Sequence, residues 1–275
     1  MRVALVPPFG LRVASPPMPV FEYIASDVHL GAVPDATERA FVSFLEHVGR
    51  DGASLLLAGD LFDFWFEYGT IIPGRHFRVL AALSRLVDAG IPVTLAGGNH
   101  DAWGGRFLRE EVGVAFRTGP FRTTLAGRPA LVAHGDGLGT GDLRYRVLKT
   151  ILRSRLTITA FRALHPELGI RIAEGVSRSD TRGEIDEHQR SRAAFLEDWS
   201  RRQLESEPSL AWVVCGHSHI PALIEVDAGR YYINTGDWIT HFTYVTIDGS
   251  GSPEMSRWPV AEASRPARTE VKPAG

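Results

Sequence analysis

Ser54-Leu55-Leu56-Leu57-Ala58-Gly59-Asp60-Leu61-Phe62-Asp63 is an apolar run that stops at a glycine, with two carboxylates close behind it. A short apolar run bounded by a turn signal reads as a buried strand, here Ser54–Ala58. The same grammar recurs four times along the chain. Asp27-Val28-His29 follows the run Phe21–Ser26, and Gly98-Asn99-His100-Asp101 follows Pro92–Ala96. His134-Gly135-Asp136 follows Ala130–Ala133, and Gly216-His217-Ser218-His219 follows Trp212–Cys215. In open α/β sheets, ligands bind beyond the carboxyl ends of the strands. A lone His or Asp in such a place is more often a turn or cap residue. Five clusters, each just past its strand, point to one site at one sheet edge.

Working outward, two segments between the first three strands have helical spacing. Asp35–Gly49 carries Ala40, Phe41, Phe44, Leu45 and Val48, and Phe77–Ala89 closes on Gly90 as a C-cap. Two successive strand–helix–strand units predict an α/β fold with a parallel sheet. Further on, Phe121–Leu125, Ala130–Ala133, Trp212–Cys215, Ala222–Val226, Tyr231–Asn234 and Tyr244–Ile247 read as short strands separated by turns. They are expected to form a second sheet with more antiparallel pairing. The interval from about 141 to 205 breaks the alternation, reads as helical, and is expected to be an insertion serving as a lid. Residues 21–250 are expected to form the domain. Residues 1–20 contain Pro7, Pro8, Pro16, Pro17 and Pro19, which break any signal-peptide core, so a disordered extension is expected there. Residues 251–275 are expected to be a flexible tail.

The 275 residues are 44% hydrophobic, enough for one large core or a core with a small cap. A net charge of −2 argues against a general electrostatic grip on nucleic acid, and no nucleic-acid partner is expected. Only Lys149 and Lys272 are lysines among the 30 basic residues, leaving 28 arginines. The arginine fork suits phosphate, although a GC-rich genome produces the same bias. Cys215 is the one cysteine, which excludes an intrachain disulfide and fits a reducing, cytoplasmic setting. No apolar run reaches 18 residues, so no transmembrane helix is expected.

The clusters supply carboxylate, imidazole and amide, with no thiolate. That set favours Mn, Fe or Zn over a soft-metal site or a purely Mg/Ca site, and Mn2+ is the expected ion. In an extended segment Asp27 and His29 point to the same side and can grip one ion together; His217 and His219 have the same relation. Glycines 59, 97, 98, 135 and 216 let backbone turn tightly or approach closely. Asp60 has two oxygens and can bridge two ions. Asp63 and Asp136 either orient a ligand from behind or cap a local turn.

Taken in order, Asp-x-His, Gly-Asp-x-x-Asp, Gly-Asn-His-Asp, His and Gly-His-x-His resemble the calcineurin-like metallophosphoesterase superfamily from Asp27 to His219. The resemblance implies a four-layer α/β/β/α sandwich and a site for two divalent metals. It implies Asp27, His29 and His219 on one metal, Asn99, His134 and His217 on the other, and Asp60 between them. It implies His100 as the residue facing the substrate phosphate, with Asp101 orienting its ring. Two such metals activate water and clamp phosphate oxygens.

Two stretches narrow the resemblance. Gly59-Asp60-Leu61-Phe62-Asp63-Phe64-Trp65 and His134-Gly135-Asp136-Gly137-Leu138-Gly139-Thr140-Gly141-Asp142 look like the UDP-2,3-diacylglucosamine pyrophosphatase branch of lipid A biosynthesis. That branch implies a lipid-linked nucleotide substrate and release of UMP and 2,3-diacylglucosamine 1-phosphate. It also implies substrate contacts from Asn99, His100, Asp142, Arg171, Ser177 and Arg178. The chain departs from the best-known members at His100, where they carry Arg. Asn234-Thr235-Gly236-Asp237-Trp238 resembles a sister group within the branch. The segment Leu143–Arg178 holds eight basic residues against two acidic ones, among many apolar ones. Such a segment suits an anionic lipid and peripheral contact with the cytoplasmic face of the inner membrane. The plainer reading is helices packed on the core with snorkelling arginines. Two further readings compete. One is a soluble phosphodiesterase or nucleotide pyrophosphatase; the other is a non-catalytic scaffold, which the full ligand set disfavours.

Overall fold

A computed structural model describes residues 20–68, 71–72, 74–101, 103–138, 154–176 and 187–260. The first half alternates strand and helix: β1 (Phe21–Ala25), α1 (Asp35–Asp51), β2 (Gly52–Leu57), α2 (Phe77–Asp88), β3 (Val93–Gly97), the short α3 (Arg106–Glu110) and β4 (Ala115–Thr118). Next come β5 (Phe121–Leu125), β6 (Arg128–Val132), and the helices α4 (Arg155–Arg162), α5 (Pro166–Val176) and α6 (Glu187–Ser206). The chain closes with β7 (Trp212–Cys215), β8 (Ala222–Asp227), β9 (Arg230–Asn234), β10 (Thr243–Asp248) and β11 (Pro253–Arg257).

The strands form two sheets, in the orders β11-β10-β1-β2-β3-β4 and β5-β6-β7-β9-β8. In the first, β1 to β4 run parallel, and β10 joins β1 antiparallel. In the second, β6, β7 and β9 run parallel between antiparallel edges. Period-two alternation divides the side chains between two apolar layers. Tyr23, Ala25, Leu55 and Leu57 pack with Phe41, Phe44, Leu45 and Val48 of α1 and with Val79, Leu83 and Leu86 of α2. Ile24 and Leu56 face the second sheet, meeting Val132, Trp212, Val214 and Ile233. A third layer joins Leu131, Val213, Cys215 and Tyr232 to Leu196 and Leu204 of α6. Three apolar layers between four slabs make the α/β/β/α sandwich.

Four features differ from the sequence reading. β10 lies in the first sheet, where it pairs along the edge of β1 that would otherwise expose unpaired backbone groups. Residues 253–257, expected in a flexible tail, form β11 on β10, and Trp258 packs on the first core layer. α6, expected to fall within the inserted lid, buries Leu196, Ser200 and Leu204 and so belongs to the sandwich. α3 and β4, five and four residues long with one buried side chain each, carry no periodic signal in the sequence. The proline-rich start, residues 1–19, and residues 261–275 lie outside the described residues. No helix among the described residues is long and apolar enough to cross a membrane.

Candidate metal centre

Each of the five clusters leaves the carboxyl end of its strand, and the strands converge. Asp27, His29 and His219 bring one ligand atom each within 4.8 Å of one another, as do Asp60, His134 and His217. His29, Asp60 and His100 form a third such set, which links the other two. Asp27, His29 and Asp60 are no more than 1% exposed. Asp60 Oδ2 lies 3.0 Å from His134 Nε2 and 3.9 Å from His29 Nε2, so one carboxylate reaches both halves.

The loops that carry these groups are not extended. Asp27, His29, Asp60, His217 and His219 all have positive φ, between 51° and 67°. Left-handed backbone at a residue other than glycine costs about 1–3 kcal/mol and persists only where its surroundings impose it. The pairs 27/29 and 217/219 therefore do not follow the period-two alternation expected of extended backbone, although both pairs still meet the site. The loops are pinned to each other instead. Both Asp27 oxygens accept the His217 backbone N–H, at 3.0 and 3.1 Å, and Asp60 Oδ1 accepts that of His100 at 3.0 Å. Two glycines permit this packing: a Cβ on Gly98 would sit 2.0 Å from Asp60 Oδ1, and one on Gly59 would sit 2.2 Å from His134 Nδ1.

The donor set fits divalent cations. Asn99 Oδ1 is buried with no hydrogen-bond partner among the described residues. His134 donates its Nδ1–H to the Ala58 carbonyl at 2.9 Å, so Nε2 is the nitrogen that faces Asp60 Oδ2. Two lone pairs 3.0 Å apart repel, so a positive charge belongs between them, a proton on Nε2 or a metal ion in its place. At the other half, His29 Nε2 and His219 Nε2 are 3.3 Å apart, with Asp27 Oδ1 at 4.0 and 3.5 Å from them. The charges buried around the site create the same need for positive charge. Burial opposes charge on His134, yet Asp60 outweighs it and raises the ring to about 10. Burial would raise Asp60, but His134, His100 and His29 hold it well below the usual carboxylate range. His217 is driven well below its ordinary value by burial, His134 and Arg192, which favours the neutral ring that a metal requires.

His100 donates Nδ1–H to the Asp63 carbonyl at 2.8 Å, and the Asp63 carboxylate lies 3.5 Å from the same nitrogen. That corrects the expected role of Asp101. Its oxygens accept the backbone N–H groups of Gly98 at 2.7 Å and Leu61 at 2.8 Å, so it ties two site loops together while Asp63 orients the ring. Burial and the neighbouring Asp60 push Asp101 up to about 7. Asp63 Oδ1 also lies 3.6 Å from His29 Nδ1. Asp136 is buried, and its charge adds to that raising His134. Arg171 is exposed on α5, while Asp142, Ser177 and Arg178 lie outside the described residues.

Two residues that support the site carried no assigned role. Asn234 donates from Nδ2 to the Gly216 carbonyl and the Ser218 hydroxyl, both at 2.9 Å, and so fixes the loop bearing His217 and His219. Asp237 lies behind His219. Their signal was available: Asn234-Thr235-Gly236-Asp237 is a sixth polar cluster just after an apolar strand. A separate cavity of about 790 Å3 between the starts of α1 and α2, lined by Arg39, Arg75, His76 and Arg78, reaches the site loops only at Gly31.

Buried carboxylates and imidazoles in two linked sets, at the shared edge of two stacked sheets, define a metal-dependent hydrolase of the dinuclear kind. The chain belongs to the calcineurin-like phosphoesterase family, whose profile matches residues 23–221. Membership implies two divalent metals. The chain is similar to a UDP-2,3-diacylglucosamine hydrolase of Porphyromonas gingivalis, 28% identical over 247 residues, covering 83% of this chain and 94% of that protein. It is also similar to proteins of the same description from Ectopseudomonas mendocina (30% identical, 83% and 94% covered) and Pseudomonas paraeruginosa (31% identical, 82% and 94% covered).

Proposed function

We propose that this chain hydrolyses the pyrophosphate of UDP-2,3-diacylglucosamine to UMP and 2,3-diacylglucosamine 1-phosphate, a step of lipid A biosynthesis. The observation that carries the reading is similarity over most of the chain to relatives of that description, with the complete ligand set present. Asp27, His29 and His219 would hold one ion, and Asn99, His134 and His217 the other. Asp60 would serve both, and Mn2+ is the ion proposed. Bound there, the metals supply water activation and neutralisation of phosphate charge.

The chain's own groups do the rest. The Asp63 carbonyl fixes a proton on His100 Nδ1, so any second proton the ring carries is on Nε2. As imidazolium, His100 stabilises charge developing on phosphate oxygen or protonates the leaving oxygen. Asp101 keeps the loops of Asp60 and Asn99 at fixed separation. Phe161 of α4 packs on Phe66, with ring centroids 4.6 Å apart, and on Trp103 at 5.2 Å, so the inserted helices sit on an aromatic ledge just past Asp63. Leu156, Leu168 and Ile172 on these helices are 81%, 49% and 43% exposed. Together with the arginines of the segment, that apolar face suits acyl chains and peripheral contact with the cytoplasmic face of the inner membrane. Mass spectrometry of UDP-2,3-diacylglucosamine incubated with the Mn2+-loaded protein tests the assignment. UMP and acylated sugar phosphate are expected. Intact substrate beside good turnover of simple nucleotide diphosphates or aryl diesters would give the site to a smaller substrate.

A further inference from the structure

β9 ends in the sixth polar cluster, and Asp237 is its buried carboxylate. Oδ1 accepts the backbone N–H groups of Ile239 at 3.2 Å, Thr240 at 2.8 Å and His241 at 2.9 Å. Oδ2 lies 3.4 Å from His219 Nδ1. The other nitrogen of that ring, Nε2, faces His29 Nε2 and Asp27. We propose that Asp237 is a positioning residue that holds the proton of His219 on Nδ1 and thereby presents the Nε2 lone pair to the cation shared with Asp27 and His29. The proposal rests on the two-metal reading above.

A ring nitrogen binds metal only when it carries no proton, and the hydrogen bond at the opposite nitrogen decides which one that is. An ionised carboxylate can only accept, so it faces an N–H. Asp237 is also held in place. Three backbone donors grip Oδ1, the Phe242 N–H binds the Asp237 carbonyl at 2.7 Å, and the next residue, Trp238, packs on Phe41 and Phe44. A carboxylate so anchored cannot swing away from His219 at little cost. His134 in the other half has a different backing, the Ala58 carbonyl, so the effect of Asp237 belongs to one metal position.

D237N separates this role from turn capping. The amide oxygen still accepts the three backbone donors, but the NH2 group turned toward His219 makes Nδ1 an acceptor and moves the proton to Nε2. Mn2+ titration by calorimetry, with metal content from plasma mass spectrometry, should find two ions per wild-type chain. In D237N one ion should bind as in wild type and the other about 10–100-fold more weakly, with the metal-free melting temperature little changed. Two ions at wild-type affinity, or parallel loss of both, would overturn the proposal. A wild-type chain that does not bind two ions would overturn the two-metal reading instead. If D237N does not fold, 15N NMR of histidine-labelled, zinc-loaded wild type decides: Nδ1–H with Nε2 on the metal is expected for His219, and the reverse overturns the proposal.

Discussion

The two halves of the candidate metal centre are built on different backing. In the half formed by Asp27, His29 and His219, both imidazoles have a carboxylate near Nδ1, Asp63 for His29 and Asp237 for His219. In the half formed by Asp60, His134 and His217, His134 leans on a backbone carbonyl. A carboxylate behind an imidazole raises its basicity and stiffens its orientation more than a neutral carbonyl does. The two positions are therefore expected to bind unequally, the carboxylate-backed half more tightly and with an affinity open to single charge-neutral substitutions.

Asp60→Ala removes the one group both halves share and should cost the most. With the shared carboxylate gone, both positions fail, and Mn2+ content should fall well below one ion per chain. Activity on any phosphodiester should fall further than the roughly 10–100-fold that an outer partner costs. Retention of one tightly bound ion would show that the halves are independent. His100→Ala comes next. It should cut turnover about 10²–10⁴-fold, the range of a lost general acid, while metal content stays at two. Loss of an ion in that variant would make His100 a ligand, as its place beside His29 and Asp60 allows. Third is Asp63→Asn, which should weaken only the His29 position, by about 10–100-fold, because the backbone carbonyl of residue 63 still holds His100. Equal weakening of both positions, read by the same titration, would end the claim that the backing differs.

How much of this was legible in the sequence follows from range. The five clusters announce themselves locally: an apolar run stops, a glycine or a carboxylate follows, and an imidazole stands within a few residues. Three buried strands and two amphipathic helices are equally local, and their ends shift by three residues or fewer. What stayed hidden depends on direction in space. Nothing in the spacing of Asp63, His100 and Asp101 says that the ring turns to residue 63 and that Asp101 turns to the backbone of Gly98 and Leu61. The positive φ of Asp27 and His29 arises because the Val28 and His29 N–H groups both bind the Asp60 carbonyl, a contact more than thirty residues away. β10 reads as a strand from its own residues, but only the open edge of β1 decides its sheet. Asp237 caps a local turn with one oxygen, and its second oxygen acquires meaning only beside His219.

A substitution remote from both halves should cost the least. Phe161 touches neither half of the centre. It packs on Phe64, Phe66 and Trp103, the ledge that follows Asp63 in the chain. An aromatic pair contributes about 0.5–1.5 kcal/mol beyond its buried area. If the inserted helices hold acyl chains over the site, Phe161→Ala should raise KM for a diacylated substrate by about 2–10-fold, the same energy expressed as a ratio. Turnover of a small aryl phosphodiester and the count of two metals should be unchanged, since strand ends and their loops position every candidate ligand. The measurement is a pair of Michaelis curves, one per substrate, on variant and wild type. Equal losses on both substrates would mean that the ledge supports the Asp60–Asp63 loop itself, and the line between a rigid two-part centre and a separable lid would have to be redrawn through residue 64.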